Sequence, residues 1–181
     1  MDTTNIETYL NNFGQKVVDD AKANLQSDKG STAVGQSIRF EVVPTDTGFS
    51  TKFYMLDYGE FLDKGVSGNK ERRSFKNYKG QIQSSPYSYT SKGPPIDIIS
   101  KWIKKKGIEP KGLGRGRSKN TGQYISGFAY LISKKIKRDG IKSLSFFQQP
   151  FGIEYEKLQE GLLTKLKVDI ESYLTTFYRP K

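Results

Sequence analysis

The chain has 181 residues, with 30 Lys and Arg against 19 Asp and Glu, a formal charge of +11, and neither cysteine nor histidine. Those absences exclude disulfides, thiolate and imidazole metal sites, and Ser-His or Cys-His catalysis. The basic excess points to a polyanion or an acidic protein surface as partner. Mean hydropathy is only −0.66, but 11 Phe and 11 Tyr offer burial that the few aliphatic residues do not. The length favours one domain over 1–181. No apolar run approaches the ~20 residues of a membrane helix. Met1-Asp2-Thr3-Thr4 lacks the basic and apolar regions of a signal peptide, so a soluble protein made in a cytoplasm is expected.

In chain order, Thr4-x-x-Glu7 has capping-box spacing. Ile6, Leu10, Phe13, Val17, Ala21 and Leu25 then form one apolar stripe, which predicts a helix over 4–26. Residues 31–37 are ambiguous. Ile38 to Val43 alternates as a half-buried strand does, Pro44 to Gly48 is turn chemistry, and Phe49 to Leu56 returns, predicting a hairpin.

Asp57 to Gly68 follows directly. Tyr58, Phe61 and Leu62 lie at helical spacing, so one short turn of helix is expected to bury all three; Gly59 completes the segment, and Lys64-Gly65 reads as its stop. A strand–helix junction without further role is the plainer reading. Residues 69–93 show no helical period and carry Arg72-Arg73 beside Phe75 and Tyr78, so a solvated interaction loop is expected. Pro94-Pro95 opens a helix with Ile96, Ile98, Ile99, Trp102 and Ile103 on its apolar side. It ends at Lys104-Lys105-Lys106-Gly107-Ile108, where Gly107 and Ile108 fit a Schellman cap.

Glu109 to Asn120, with Lys111, Arg115, Arg117 and Lys119, joins Lys104, Lys105 and Lys106 in the most basic stretch of the chain. Its glycines match neither the Walker order nor the dinucleotide fingerprint. Neutralising a nucleic-acid backbone and docking on an acidic protein surface explain these residues equally well. Asn120-x-x-Gln123 can cap the next helix, with Ile125, Phe128, Ala129, Ile132 and Ile136 on one face and Lys134, Lys135, Lys137 and Arg138 at its exposed end. Its stop, Asp139-Gly140-Ile141, repeats that of the preceding helix. The two read as one device used twice, not as a repeat architecture. Leu144, Phe146 and Phe147 look like a buried connector. A last helix over 152–177 carries the stripe Tyr155, Leu158, Leu162, Leu166, Ile170, Tyr173 and Phe177, read as core packing that can also serve a neighbouring subunit.

The fold expected is therefore α+β: a small hairpin-based antiparallel sheet packed against N-terminal and long C-terminal helices, with basic insertions at about 69–93 and 104–120. The Tyr58-Gly59-x-Phe61-Leu62-x-x-Gly65 segment after a strand, and the later Gly140-Ile141 helix stop leading into Phe146-Phe147, resemble the tail-completion or neck proteins of long-tailed bacteriophages. The two basic insertions depart from that pattern. The resemblance implies a structural, non-enzymatic subunit without cofactor. It implies a homo-oligomeric ring, commonly sixfold, in the head–tail neck of the virion, between the connector and the tail tube, with DNA passing through. Its basic loops would meet either acidic faces of adjoining rings or the DNA. The first is preferred, since a strongly cationic lumen would retard a departing polyanion. Two other readings stand beside it: a basic nucleic-acid-binding module outside any virion, and a metal-dependent nuclease using Asp57, Glu60 and Asp63, for which a surface turn is the plainer account.

Overall fold

The computed structural model describes residues 4–27, 32–108, 115–117 and 124–177. Over these the fold is α+β. The helices are α1 (Thr4–Ser27), α2 (Thr32–Ser37), α3 (Tyr58–Lys64), α4 (Ile96–Lys105), α5 (Gly127–Asp139) and α6 (Gln148–Phe177). The strands are β1 (Arg39–Thr45), β2 (Gly48–Tyr54), β3 (Ser74–Lys76), β4 (Ile82–Ser84), β5 (Arg115–Arg117) and β6 (Tyr124–Ser126), paired β1–β2, β3–β4 and β5–β6. The chain divides into two compact units. The first comprises Met1–Asp63, Lys76–Ile82 and Leu144–Lys181, and the second Lys64–Phe75 and Gln83–Ser143.

In the first unit the stripe of α1 is buried as expected from Leu10 to Leu25, with Val17 and Ala21 fully enclosed. The β1–β2 hairpin runs antiparallel in register from Arg39 opposite Tyr54 to Thr45 opposite Gly48. Gly14 of α1 has no Cβ to obstruct the ring of Phe40 from β1. The ambiguous stretch before β1 is helix α2, whose Val34 is fully buried. Val34 joins Val18, Ala21, Leu25, Ile38 and Phe146 in the core. A second layer is aromatic: Phe13, Phe53, Phe147 and Phe151 meet at centroid separations of 5.4–6.2 Å, mostly edge to face. The expected connector is borne out, with Phe146 wholly buried and Leu144 and Phe147 packed on the core.

Helices α1 and α6 lie antiparallel. Asn5 Nδ2 donates to Asp169 Oδ1 (2.6 Å), Lys16 pairs with Glu154 (2.8 Å), and Asn24 Nδ2 donates to Phe146 O (3.5 Å). At the start of α1, Asp169, buried on α6, accepts the Ile6 N–H (3.2 Å) and supplies an acceptor that a first helical turn needs.

Three expectations are corrected. Helix α3 forms where predicted, but Tyr58 and Phe61 are each 40% exposed and Leu62 is only partly buried. Its buried positions are Gly59 and Asp63, one turn apart. Met55 and Val34 pack close on Gly59, so that an added Cβ would meet Met55 Sδ at 2.8 Å and require it to shift. Asp63 Oδ1 accepts the N–H of Phe147 (2.8 Å) and of Gln148 (3.4 Å), capping α6 from outside that helix. Helix α6 accordingly starts at Gln148 rather than 152; Pro150 sits in its first turn, where a missing N–H costs nothing. The α6 stripe is displaced too: Leu158 and Leu162 are partly buried, whereas Tyr155, Leu166, Ile170 and Tyr173 are exposed. The side turned to α1 carries Glu154 and Asp169 instead. The side chain of Phe177 lies outside the described residues.

In the second unit α4 and α5 pack through Ile99, Ile103 and Ala129, with Ile96, Phe128, Ile132 and Ile136 around them. The Schellman cap of α4 is present. Gly107 has φ +63°, its N–H reaches Lys104 O (3.1 Å), and the Ile108 N–H reaches Ile103 O (3.1 Å). Helix α5 begins later than expected, because Ile125 belongs to β6, which pairs with β5 from Arg115 opposite Ser126 to Arg117 opposite Tyr124. The Asn120–Gln123 cap lies outside the described residues. Residues 69–93, expected as a loop, contain β3 and β4 and are held by backbone pairing: Ser67 N to Tyr87 O and Tyr89 N to Ser67 O (both 2.8 Å), and Ser85 N to Arg73 O (2.8 Å).

Candidate functional site

The C-terminal end of α5 organises the second unit. A helix leaves its last carbonyls without intrahelical partners, and here each of the last four has one. Ile136 O accepts from Gly140 N (2.7 Å), Lys137 O from Asn69 N (2.9 Å) and Arg138 O from Lys70 N (3.0 Å). Asp139 O accepts from Arg73 Nε (2.8 Å). The Ile141 N–H leaves the helix altogether and donates to Val66 O (2.8 Å), within an antiparallel bridge between Val66 and Ile141. The crossing is close: a Cβ on Gly65 would lie 2.8 Å from Ile141 O, and one on Gly140 would lie 2.6 Å from Gly68 N.

Docking residues 65–73 on α5 builds a groove of about 570 Å³. Lys70 lines it from one side and Lys134, Lys135, Lys137 and Arg138 from α5, with Leu131 and Asn69 completing the wall. Lys137 Nζ donates to Ser91 O (2.6 Å). Lys134 lies over the exposed ring of Tyr130, 5.6 Å from its centroid. Arg138 makes a bidentate pair with Asp139 (2.5 and 2.8 Å), whose carboxyl is thereby held below the usual carboxylate range. An adjoining hollow of about 540 Å³ is mixed in charge, lined by Glu71 and Asp139 as well as Arg73, Lys135 and Lys142.

The residues expected to bind a partner divide into groups. Arg72, Lys104, Lys105 and Lys106 are exposed. Arg73 is committed to the fold: its side chain is 19% exposed and bonded to Asp139 O and to Glu71 (2.7 Å). Arg115 and Arg117 are placed as backbone in β5. Lys111 and Lys119 lie outside the described residues. Of the segment Tyr58, Gly59, Phe61, Leu62 and Gly65, the glycines are the buried members, and Gly65 takes φ +71° as the stop of α3. Lys134, Lys135, Lys137 and Arg138 were expected as the exposed end of their helix and Lys70 as part of the 69–93 loop; what groups them is the crossing at Gly140. Among the described residues no group of three or more carboxylates is placed to hold a metal ion. Asp63 of the Asp57, Glu60 and Asp63 set is the α6 cap.

Charge is divided unequally between the units. The second unit holds 18 Lys and Arg against four Asp and Glu, a formal +14. The first holds 12 against 15, a formal −3. The first unit offers an apolar surface instead. A groove of about 510 Å³ runs between α1, β2 and α6, lined by Leu10, Phe53, Phe151, Leu158 and Leu162 among others. Leu163 and Leu166, which also line it, continue with Ile170, Tyr173 and Leu174 as one exposed face of α6, with Leu163 61% exposed. No helix among the described residues is long and apolar enough to cross a membrane. Comparison with protein-family models, curated proteins and solved structures gives no match to the chain.

Proposed function

We propose that the protein is a structural virion component of a tailed bacteriophage. It forms a homo-oligomeric ring in the head–tail neck, as a tail-completion, terminator or connector subunit, and has no catalytic role. One observation carries most weight. Helix α6 directs Glu154 and Asp169 to α1 and leaves a leucine-rich face exposed. Monomers rarely expose apolar patches of that kind without a partner to cover them. A ring subunit would cover it with its neighbour. The +14 charge of the second unit suits docking on an acidic surface of an adjoining ring. The resemblance of the Tyr58–Gly65 and Gly140–Phe147 segments to neck proteins supplies the biological setting. A basic nucleic-acid-binding module outside any virion is the second reading, favoured by the +14 charge of the second unit.

Light scattering on the purified chain tests the first reading. The expected species is a discrete ring several times the 20.5 kDa chain mass, alone or on addition of a connector ring. Ile170→Lys with Leu174→Lys should return it to the monomer while leaving the helical circular dichroism intact. A strict monomer that binds neither connector nor tail tube would overturn the proposal.

A further inference from the structure

We infer that the α5 groove is a binding site for a nucleic-acid phosphate backbone, used without sequence readout. It rests on the groove alone and not on the neck reading. Lysines near a helix C-terminus ordinarily need no external ligand, because they complement the helix dipole and reach its last carbonyls. That explanation is weakened here, since the carbonyls of Ile136 to Asp139 already accept from Gly140, Asn69, Lys70 and Arg73. The ammonium groups of Lys70, Lys134 and Lys135 are therefore presented outward, not consumed as caps, while that of Lys137 is held by Ser91 O (2.6 Å).

Their grouping is also more than a solvated helix face. Lys134, Lys135 and Arg138 are exposed on α5, and Lys70 is brought opposite by its own N–H bond to Arg138 O (3.0 Å). Two elements thus flank the groove with cations, and its lining contains no carboxylate. The adjoining hollow, lined by Glu71 and Asp139, lacks that property. Lysine acts as a point charge on a flexible stem, which suits a regular polyanion tracked along its backbone. The one arginine here already holds Asp139 through its guanidinium fork, which leaves lysines as the point charges of the groove. The exposed Tyr130 ring beside Lys134 adds a flat apolar surface of the kind a base or sugar can cover.

The test is fluorescence anisotropy of the full chain with short labelled duplexes of two unrelated sequences, over about 50–200 mM salt. Both duplexes should bind alike, with affinity falling linearly on logarithmic axes. Lys70→Gln, Lys134→Gln and Lys135→Gln together should lower the affinity at least about tenfold at the low-salt end and reduce the slope by about 0.9 per lysine that contacts a phosphate. A charge-matched variant in the first unit, Lys52→Gln, Lys76→Gln and Lys167→Gln, should leave both nearly unchanged. Melting curves of the two variants establish that each is folded. Equal losses in the two variants would show attraction to net charge alone and overturn the site. Binding of poly-glutamate but not of either duplex would also overturn it, assigning the groove to an acidic protein.

Discussion

Three buried carboxylates do most of the polar work in the first unit. Asp63 caps α6, Asp169 caps α1, and Glu154 holds α6 to α1 through Lys16 (2.8 Å) and to its own turn through Lys157 (3.1 Å). Burial by itself raises the Glu154 carboxyl; the two ammonium groups outweigh it and hold the group below its ordinary value. Lys16 is raised in turn by the hydrogen bond and charge of Glu154. The consequence has a definite sign. A carboxyl lowered in the folded state contributes stability that is fully present above the unfolded value of about 4.3, and loses it as the pH falls through the lower folded value. Wild type should therefore melt above Glu154→Gln at pH 7, and the difference should begin to shrink as the pH falls below about 4.3. A difference that persists unchanged into acid would mean that Glu154 stabilises by packing and not by charge.

At the scale of elements, the two helix stops were legible as one phrase written twice, Lys-Gly-Ile and Asp-Gly-Ile, and they prove to be different structures. At α4 the Ile108 N–H returns to its own helix. At α5 the Ile141 N–H leaves for Val66, and the glycine is enclosed by the backbone of Val66 to Gly68. Both glycines have positive φ, so alanine at either carries the left-handed penalty of about 1 kcal/mol. Around Gly107 nothing lies within 4 Å of an added Cβ, so Gly107→Ala should cost little more than that. Gly140→Ala must also displace backbone 2.6 Å away, and should cost at least twice as much. Chemical denaturation of the two variants gives the comparison. Equal losses would mean that the crossing yields easily.

For the whole molecule, the division of charge and the exposed α6 face predict how assembly responds to salt. Interactions between exposed charges are screened within about 3 Å at 1 M salt, whereas apolar burial is not weakened. A ring closed through Leu163, Leu166, Ile170 and their neighbours should therefore persist at high salt. Its attachment to other polyanions or acidic rings through the +14 unit should dissolve. Light scattering at low and high salt separates the two. Loss of the ring itself at high salt would place the self-association on the charged unit.

Periodicity alone determined α1, the β1–β2 hairpin, α4 and the existence of the last helix, because each is a local pattern that one buried face enforces. The same logic found the α3 helix but chose its wrong face. The core accepted Gly59 and Asp63 there because Met55 and Val34 pack close on Gly59 and α6 needed an acceptor. Likewise a leucine stripe and a lone aspartate on α6 look alike to any pattern of spacing, until α1 arrives and takes Asp169 for its N-terminal turn. The basic groove belongs to the same class. Lys70 and Lys134 stand far apart along the chain, and only the glycine crossing at Val66–Gly68 and Gly140 brings them to one surface. What depends on neighbours in sequence was readable from sequence; what depends on which backbone group meets which distant partner was decided by tertiary structure.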